Sequence, residues 1–158
     1  MIRPGVEIKG AKEIEDALKF YMQDVQVSLK SAVQATALEA LTRVRRSMRD
    51  TPKTGKEYPR RKGGTKIHIA SKAPNPPAID TGTLTGSIYY MMVDDLTASI
   101  GSRLDYAYYL EFGTFKMGGP SGARKAWLPA AEWAGPILQK RIERILRKAK
   151  ARAEKTTK

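Results

Sequence analysis

From Ala11 to Arg49 apolar side chains recur at steps of three and four with no proline or glycine between them: Ile14, Leu18, Tyr21, Val25, Leu29, Val33, Ala37, Leu41, Val44 and Met48. That spacing marks one face of an α-helix, and the frequent alanines favour helix intrinsically. Glu13, Glu15 and Asp16 crowd the first turns and Arg43, Arg45, Arg46 and Arg49 the last, the order the helix dipole prefers. Asp50-Thr51-Pro52 stops it. A helix of this length is long for a chain of 158 residues, which is sized for one compact domain. It is expected to pack along a sheet and to reach past it towards another subunit.

Residues 50–80 follow as a basic loop rich in Pro and Gly, in which only "KIHIA" hints at a strand. A loop of this length inside a small domain is functional or gains order on binding. From Thr83 the pattern changes. Leu84, Ile88, Tyr90 and Met92 alternate, predicting a strand with one face inward. Asp94-Asp95 turns it and "TASIGS" returns, a β-hairpin within the segment 81–114. "LDYAYYLEFGT" reads either as a third strand or as a short helix. In the helical reading Asp105 caps it, Tyr106, Tyr109 and Leu110 share a face, and Gly113 is the stop. Trp127-Leu128-Pro129 opens a last helix over 127–155, with Pro129 in the first turn. Gly135-Pro136 is expected to break or bend it, and its outer face is dense with Lys and Arg. The class is α+β over a single domain, 1–158. A small antiparallel sheet, the hairpin plus one or two further strands, packs with the long N-terminal helix and the basic C-terminal helix.

Net charge is +13, and it is unevenly placed. Arg43 to Lys72 holds eleven Lys/Arg against Asp50 and Glu57, and Lys140 to Lys158 holds nine against Glu143 and Glu154. Asp80 to Thr114 is acidic, with Arg103 against Asp80, Asp94, Asp95, Asp105 and Glu111. Basic arms around an acidic centre point to nucleic acid, to acidic protein surfaces, or to further copies of the same chain. The chain has no cysteine, which removes disulfides and thiolate chemistry and fits a reducing compartment. No apolar run approaches a membrane span, and "MIRPGVEIKG" lacks the apolar core of a signal peptide, so a protein without a membrane partner, made in a cytoplasm, is expected.

The stretch "PPAIDTGTLTGSI" carries an Asp80-Thr81-Gly82 triplet, the triplet that retroviral-type aspartic proteases hold at their centre. Such an enzyme needs two carboxylates sharing a proton, hence a dimer, and an apolar strand leading into the triplet. Here "APNPPAI" leads in, with three prolines in seven residues, which no central strand accepts. The expected role is a turn: Asp80 accepting backbone N–H bonds and Gly82 supplying a conformation other residues resist. His68 is the single histidine and has no carboxylate near it in sequence. Neither a catalytic triad nor a metal-ligand spacing nor a phosphate loop is present. No enzyme activity, cofactor or metal is expected. Nucleic acid is the rival reading, bound through the basic segments 43–72 and 140–158 in a salt-sensitive way. The aromatic cluster Tyr106, Tyr108, Tyr109 and Phe112, however, lies in the acidic segment, away from where stacking would serve it.

Three phrases occur in order: "ASKAPNPPAIDTGTLTGSI" (70–88), "YAYYLEFGT" (106–114) and "ARKAWLPA" (123–130), followed by a basic amphipathic helix. Together they resemble the tail-completion or neck family of lambda-like long-tailed bacteriophages and their prophages, over roughly residues 10 to 150. The sequence departs from the family in having Lys125-Ala126-Trp127-Leu128 where Arg-Pro-Phe-Leu is common, and Thr83 and Thr85 where Arg often follows the glycine. The resemblance implies a structural virion protein that forms a hexameric ring between the head connector and the tail tube and completes head–tail joining. Its partners would be further copies of itself, the head connector or adaptor, the tail terminator or tail tube protein, and packaged DNA in the channel. It would sit in the virion neck, assembled in the host bacterial cytoplasm. Glu111 is expected to anchor a basic residue. Tyr106, Tyr109, Phe112, Gly113, Trp127 and Pro129 are candidates for core or interface, and Arg60, Arg61, Lys62 and Lys66 for basic-loop contacts.

Overall fold

The computed structural model describes residues 11–60 and 65–156. Its frame is a pair of antiparallel helices, α1 (Ala11–Asp50) and α4 (Trp127–Thr156). Between them lie β1 (Glu57–Pro59) paired with β2 (Ile67–Ile69), a one-turn helix α2 (Thr83–Ser87), β3 (Ile88–Met92) paired with β4 (Ala98–Ser102), and α3 (Tyr106–Phe112). The class is α+β, as the sequence implies. The strands, however, form two separate antiparallel pairs rather than one sheet. Residues 50–80 are therefore more than a loop: β1, which has no apolar alternation, pairs with the "KIHIA" strand. Arg61 and Lys62 lie outside the described residues.

α1 measures about 60 Å at 1.5 Å per residue, while a compact chain of this length has a radius of gyration near 15 Å. The helix outruns the body. Among its described side chains the buried apolar positions run from Ala32 through Val33, Ala37, Ala40, Leu41, Val44 and Met48, along the predicted stripe. Val44 and Met48 lie against Ile88 of β3 and against Ala126 and Ala130 at the start of α4, with Leu84, Tyr90, Ile100 and Trp127 around them. Alanine at these contacts lets the two helix backbones approach closely. Between Leu18 and Ser31 the half-buried apolar residues of α1 are Tyr21, Val25 and Leu29, and on α4 the matching seam is Ile142, Ile145 and Ala149. This half of the molecule is a two-helix stalk. Arg152 bridges to Asp24 at 2.7 Å along it, and Arg141 bridges to Glu39 at 2.6 Å and donates to the buried Thr36 hydroxyl at 2.8 Å. These solvated pairs fix register more than they add stability.

Three local expectations are corrected. Leu84 belongs to α2 and not to the strand, which begins at Ile88, where α2 ends. Residues 106–112 are helix, not a third strand, yet Asp105 makes no side-chain cap. Gly135-Pro136 does not break α4. Pro136 sits on the exposed face, where water can satisfy the carbonyl whose helical partner it removes. Among the described residues no helix is long and apolar enough to cross a membrane.

Candidate functional site

The α4 N-terminus begins at Ala126-Trp127-Leu128-Pro129, with none of the Ser, Thr, Asp or Asn side chains that cap helices locally. Glu111, brought from α3, does it instead. Its carboxylate accepts the N–H groups of Ala126 at 2.8 Å, Trp127 at 3.2 Å and Leu128 at 2.7 Å. A helix start leaves four N–H groups without helical partners. Glu111 takes three, and the fourth position is Pro129, which has none. The buried carboxylate also stands at the positive end of the helix dipole. The expectation that Glu111 anchors a basic side chain is therefore corrected: its partners are backbone.

The rest of the Glu-Phe-Gly-Thr phrase holds Glu111 in place. Gly113 ends α3 at φ 77°, with its N–H on the Tyr109 carbonyl at 2.9 Å. A Cβ there would come within 2.2 Å of the Gly119 carbonyl oxygen, so residues 113–122 fold back as two tight 3₁₀ turns. Arg124 then donates its N–H to the Leu110 carbonyl at 2.7 Å, which aligns the incoming chain beneath α3. This stretch is a closed knob, and it presents Phe115 at 98% exposure.

Asp80 does not cap its turn. Its carboxylate pairs with Arg60 at 2.5 Å and stands 3.5 Å from His68 Nδ1, so it tethers the β1–β2 hairpin to the start of the body. Arg60 also donates to the Asp80 carbonyl at 3.3 Å. A basic-loop contact and the turn residue are thus each other's partners. The turn is held by Thr81, whose hydroxyl meets that of Thr83 at 2.7 Å and receives its N–H at 3.4 Å, and the N-cap of α2 is Gly82, with no side-chain bond. Gly82 has the expected left-handed backbone, φ 85°, and its carbonyl accepts the Gly86 N–H at 2.8 Å. Lys66 is exposed and contributes its backbone carbonyl to the Arg60 N–H at 2.9 Å.

The candidate aromatic residues separate. Trp127 joins the core, whereas Tyr106, Tyr109 and Phe112 are exposed, which excludes plain core packing for them. Tyr108 and Phe112 stack at 4.7 Å and form one wall of an apolar groove of about 890 Å³ between α1, β4, α3 and α4. Sequence periodicity could not reveal this groove, because its walls come from four elements. Among the described residues no group of three or more His, Cys, Asp or Glu side chains is arranged to hold a metal ion. No protein-family model matches this chain, and neither a curated protein nor a solved structure matches it.

Proposed function

We propose that this chain is a structural subunit of a phage neck, one of a hexameric ring that joins the head connector to the tail tube and acts without catalysis. The sequence resemblance supplies the setting. The observation that carries the assembly role is exposed apolar surface. Leu18, Phe20, Met22 and Val27 on α1 and Tyr108, Phe112 and Phe115 on the body each stand more than half in solvent. A thin core of alanines and a two-helix stalk leave them uncovered, and a subunit of this shape gains its missing burial from neighbours. Glu111 and Asp80, the acids of the most specific phrases, are occupied inside the fold, which supports a structural reading of those phrases. Head, tail and DNA would be contacted from the ring, in the virion neck assembled in the bacterial cytoplasm.

The test is electron microscopy of particles assembled without this protein. DNA-filled heads accumulating beside free, full-length tails support the joining role, and normal numbers of complete tailed particles refute it. One observation favours nucleic-acid binding as the second reading: Lys140, Arg144, Arg147, Lys148 and Lys150 are all exposed along α4. That reading predicts DNA affinity that falls steeply with salt in a subunit that forms no ring.

A further inference from the structure

We propose that the apolar groove between α1, β4, α3 and α4 receives the two-helix stalk of a second copy of this chain. The inference rests on the ring reading above and names the contact that would build the ring. The groove is lined by Val33, Ala37, Leu104, Tyr108, Phe112 and Leu138 among others, at the upper end of the volumes of sites that seat large apolar groups. Its aromatic wall is more than half exposed at Tyr108 and Phe112. The stalk offers the complement. Leu18, Phe20, Met22 and Val27 lie on it with 57% to 74% of their surface in solvent, although a two-helix pair has no third element to cover them. Phe20 and Val27, seven positions apart, share the face of α1 turned away from the Tyr21, Val25 and Leu29 seam, while Leu18 and Met22 flank that seam. Exposed apolar groups on one helix face mark an interaction surface, and a helix seated in a groove is a common way of covering one.

Charge selects the second copy as the occupant. The stalk segments 18–31 and 141–153 carry eight Lys/Arg against Asp24 and Glu143. The segment that builds the aromatic side of the groove is acidic: Asp105 lines it against Lys125, Asp94 and Asp95 precede its Leu96 edge, and Glu111 also lines it but is taken up by the α4 start. Basic amphipathic stalk and acidic aromatic groove lie on different parts of one chain. The contact is therefore heterologous, each subunit inserting into the next, and such a contact closes into a ring when the rotation allows.

The absence of native cysteine makes the test clean. Phe20→Cys and Tyr108→Cys change exposed side chains, so both variants keep the wild-type far-ultraviolet circular dichroism. Mixed together at high concentration and treated with a short bis-maleimide, they give a heterodimer, and the double variant gives a ladder ending at the ring. Phe20→Lys weakens self-association by about ten- to hundred-fold, the worth of burying one large apolar side chain. Rings seen by light scattering in which the Phe20→Cys thiol couples only to its own counterpart, or in which the Tyr108→Cys thiol stays freely reactive, overturn the groove contact and leave the ring reading standing. A wild-type chain that stays monomeric at high concentration overturns both.

Discussion

Removing the Glu111 carboxylate should be the most damaging single change on this molecule outside its apolar core. Glu111→Ala strips three N–H groups at the α4 start of their acceptor, and two of these, Ala126 and Leu128, are bonded at 2.8 and 2.7 Å. A hydrogen bond to a charged group contributes about 1.5–3 kcal/mol, and a buried donor left unmade costs about 1–3 kcal/mol. Burying the carboxylate itself opposes folding, so the three bonds do not sum. The expected loss is about 3–5 kcal/mol, the range for removing one partner of a buried charged set. For a chain of this size that lowers Tm by roughly 6–20 °C. Urea unfolding followed by circular dichroism at the helix band should show a lower midpoint at unchanged slope, since the surface exposed on unfolding is the same. Glu111→Gln separates charge from shape: it keeps one acceptor oxygen and turns an NH₂ group towards a donor, so it should lose nearly as much. A loss under about 1 kcal/mol for Glu111→Ala, within the range of an ordinary solvent-exposed cap, would refute the idea that this one residue closes the helix.

Glycine changes should divide by geometry. Gly113→Ala forces a Cβ to 2.2 Å from a backbone oxygen at positive φ, and a loss of at least about 2 kcal/mol is expected. Gly86→Ala meets nothing within 4 Å, and should be neutral or stabilise by about 0.5–1 kcal/mol in the same unfolding assay. Asp80→Asn should loosen the β1–β2 hairpin without unfolding the body; faster hydrogen exchange at the Arg60 and Ala70 amides, with global stability changed by less than about 1 kcal/mol, is the expected result. At the β3–β4 turn, the Leu96 N–H bond and then the Thr97 side chain hold the Asp94 carboxyl below its usual range. Its stabilisation is therefore present above the unfolded pKa and lost as pH falls through the lower folded one. The difference in urea midpoint between wild type and Asp94→Asn should shrink on acidification below the ordinary carboxylate range.

Local pattern carried the helices and the second hairpin into view. The stripe through Leu41, Val44 and Met48 is a periodic signal that no competing signal contradicts, and Ile88, Tyr90 and Met92 alternate because one face of β3 packs on α1. What stayed hidden was made by residues far apart in sequence. Arg60 meets Asp80 across twenty positions, and a turn acid followed by Thr-Gly reads locally as a cap. β1 became a strand only because β2 offers it hydrogen bonds. The Glu111 cap did leave a signal: a helix starting at Ala-Trp-Leu-Pro lacks a capping side chain of its own, so an acceptor had to come from elsewhere, and Glu111 was an acid beside two aromatic residues with no local task.

That cap also bears on what the sequence phrases mean. "YLEFGT" and "ARKAWLP" are the two halves of one device, carboxylate and helix start, and the glycine turns between them bring the halves together. A chain can hold such phrases for folding alone, whatever its surface does. The surface then becomes the place where partners are chosen, and here it is lopsided. Arg45, Arg60, Arg141 and Arg152 are engaged within the chain, while the Lys and Arg of the α4 outer face remain in solvent beside exposed apolar groups of the stalk. Pure phosphate binding has no use for Phe20 or Val27, because contacts to a nucleic-acid backbone are polar and charged. A basic helix pair that is also apolar fits an aromatic groove better than it fits a phosphate backbone, and this chain carries such a groove.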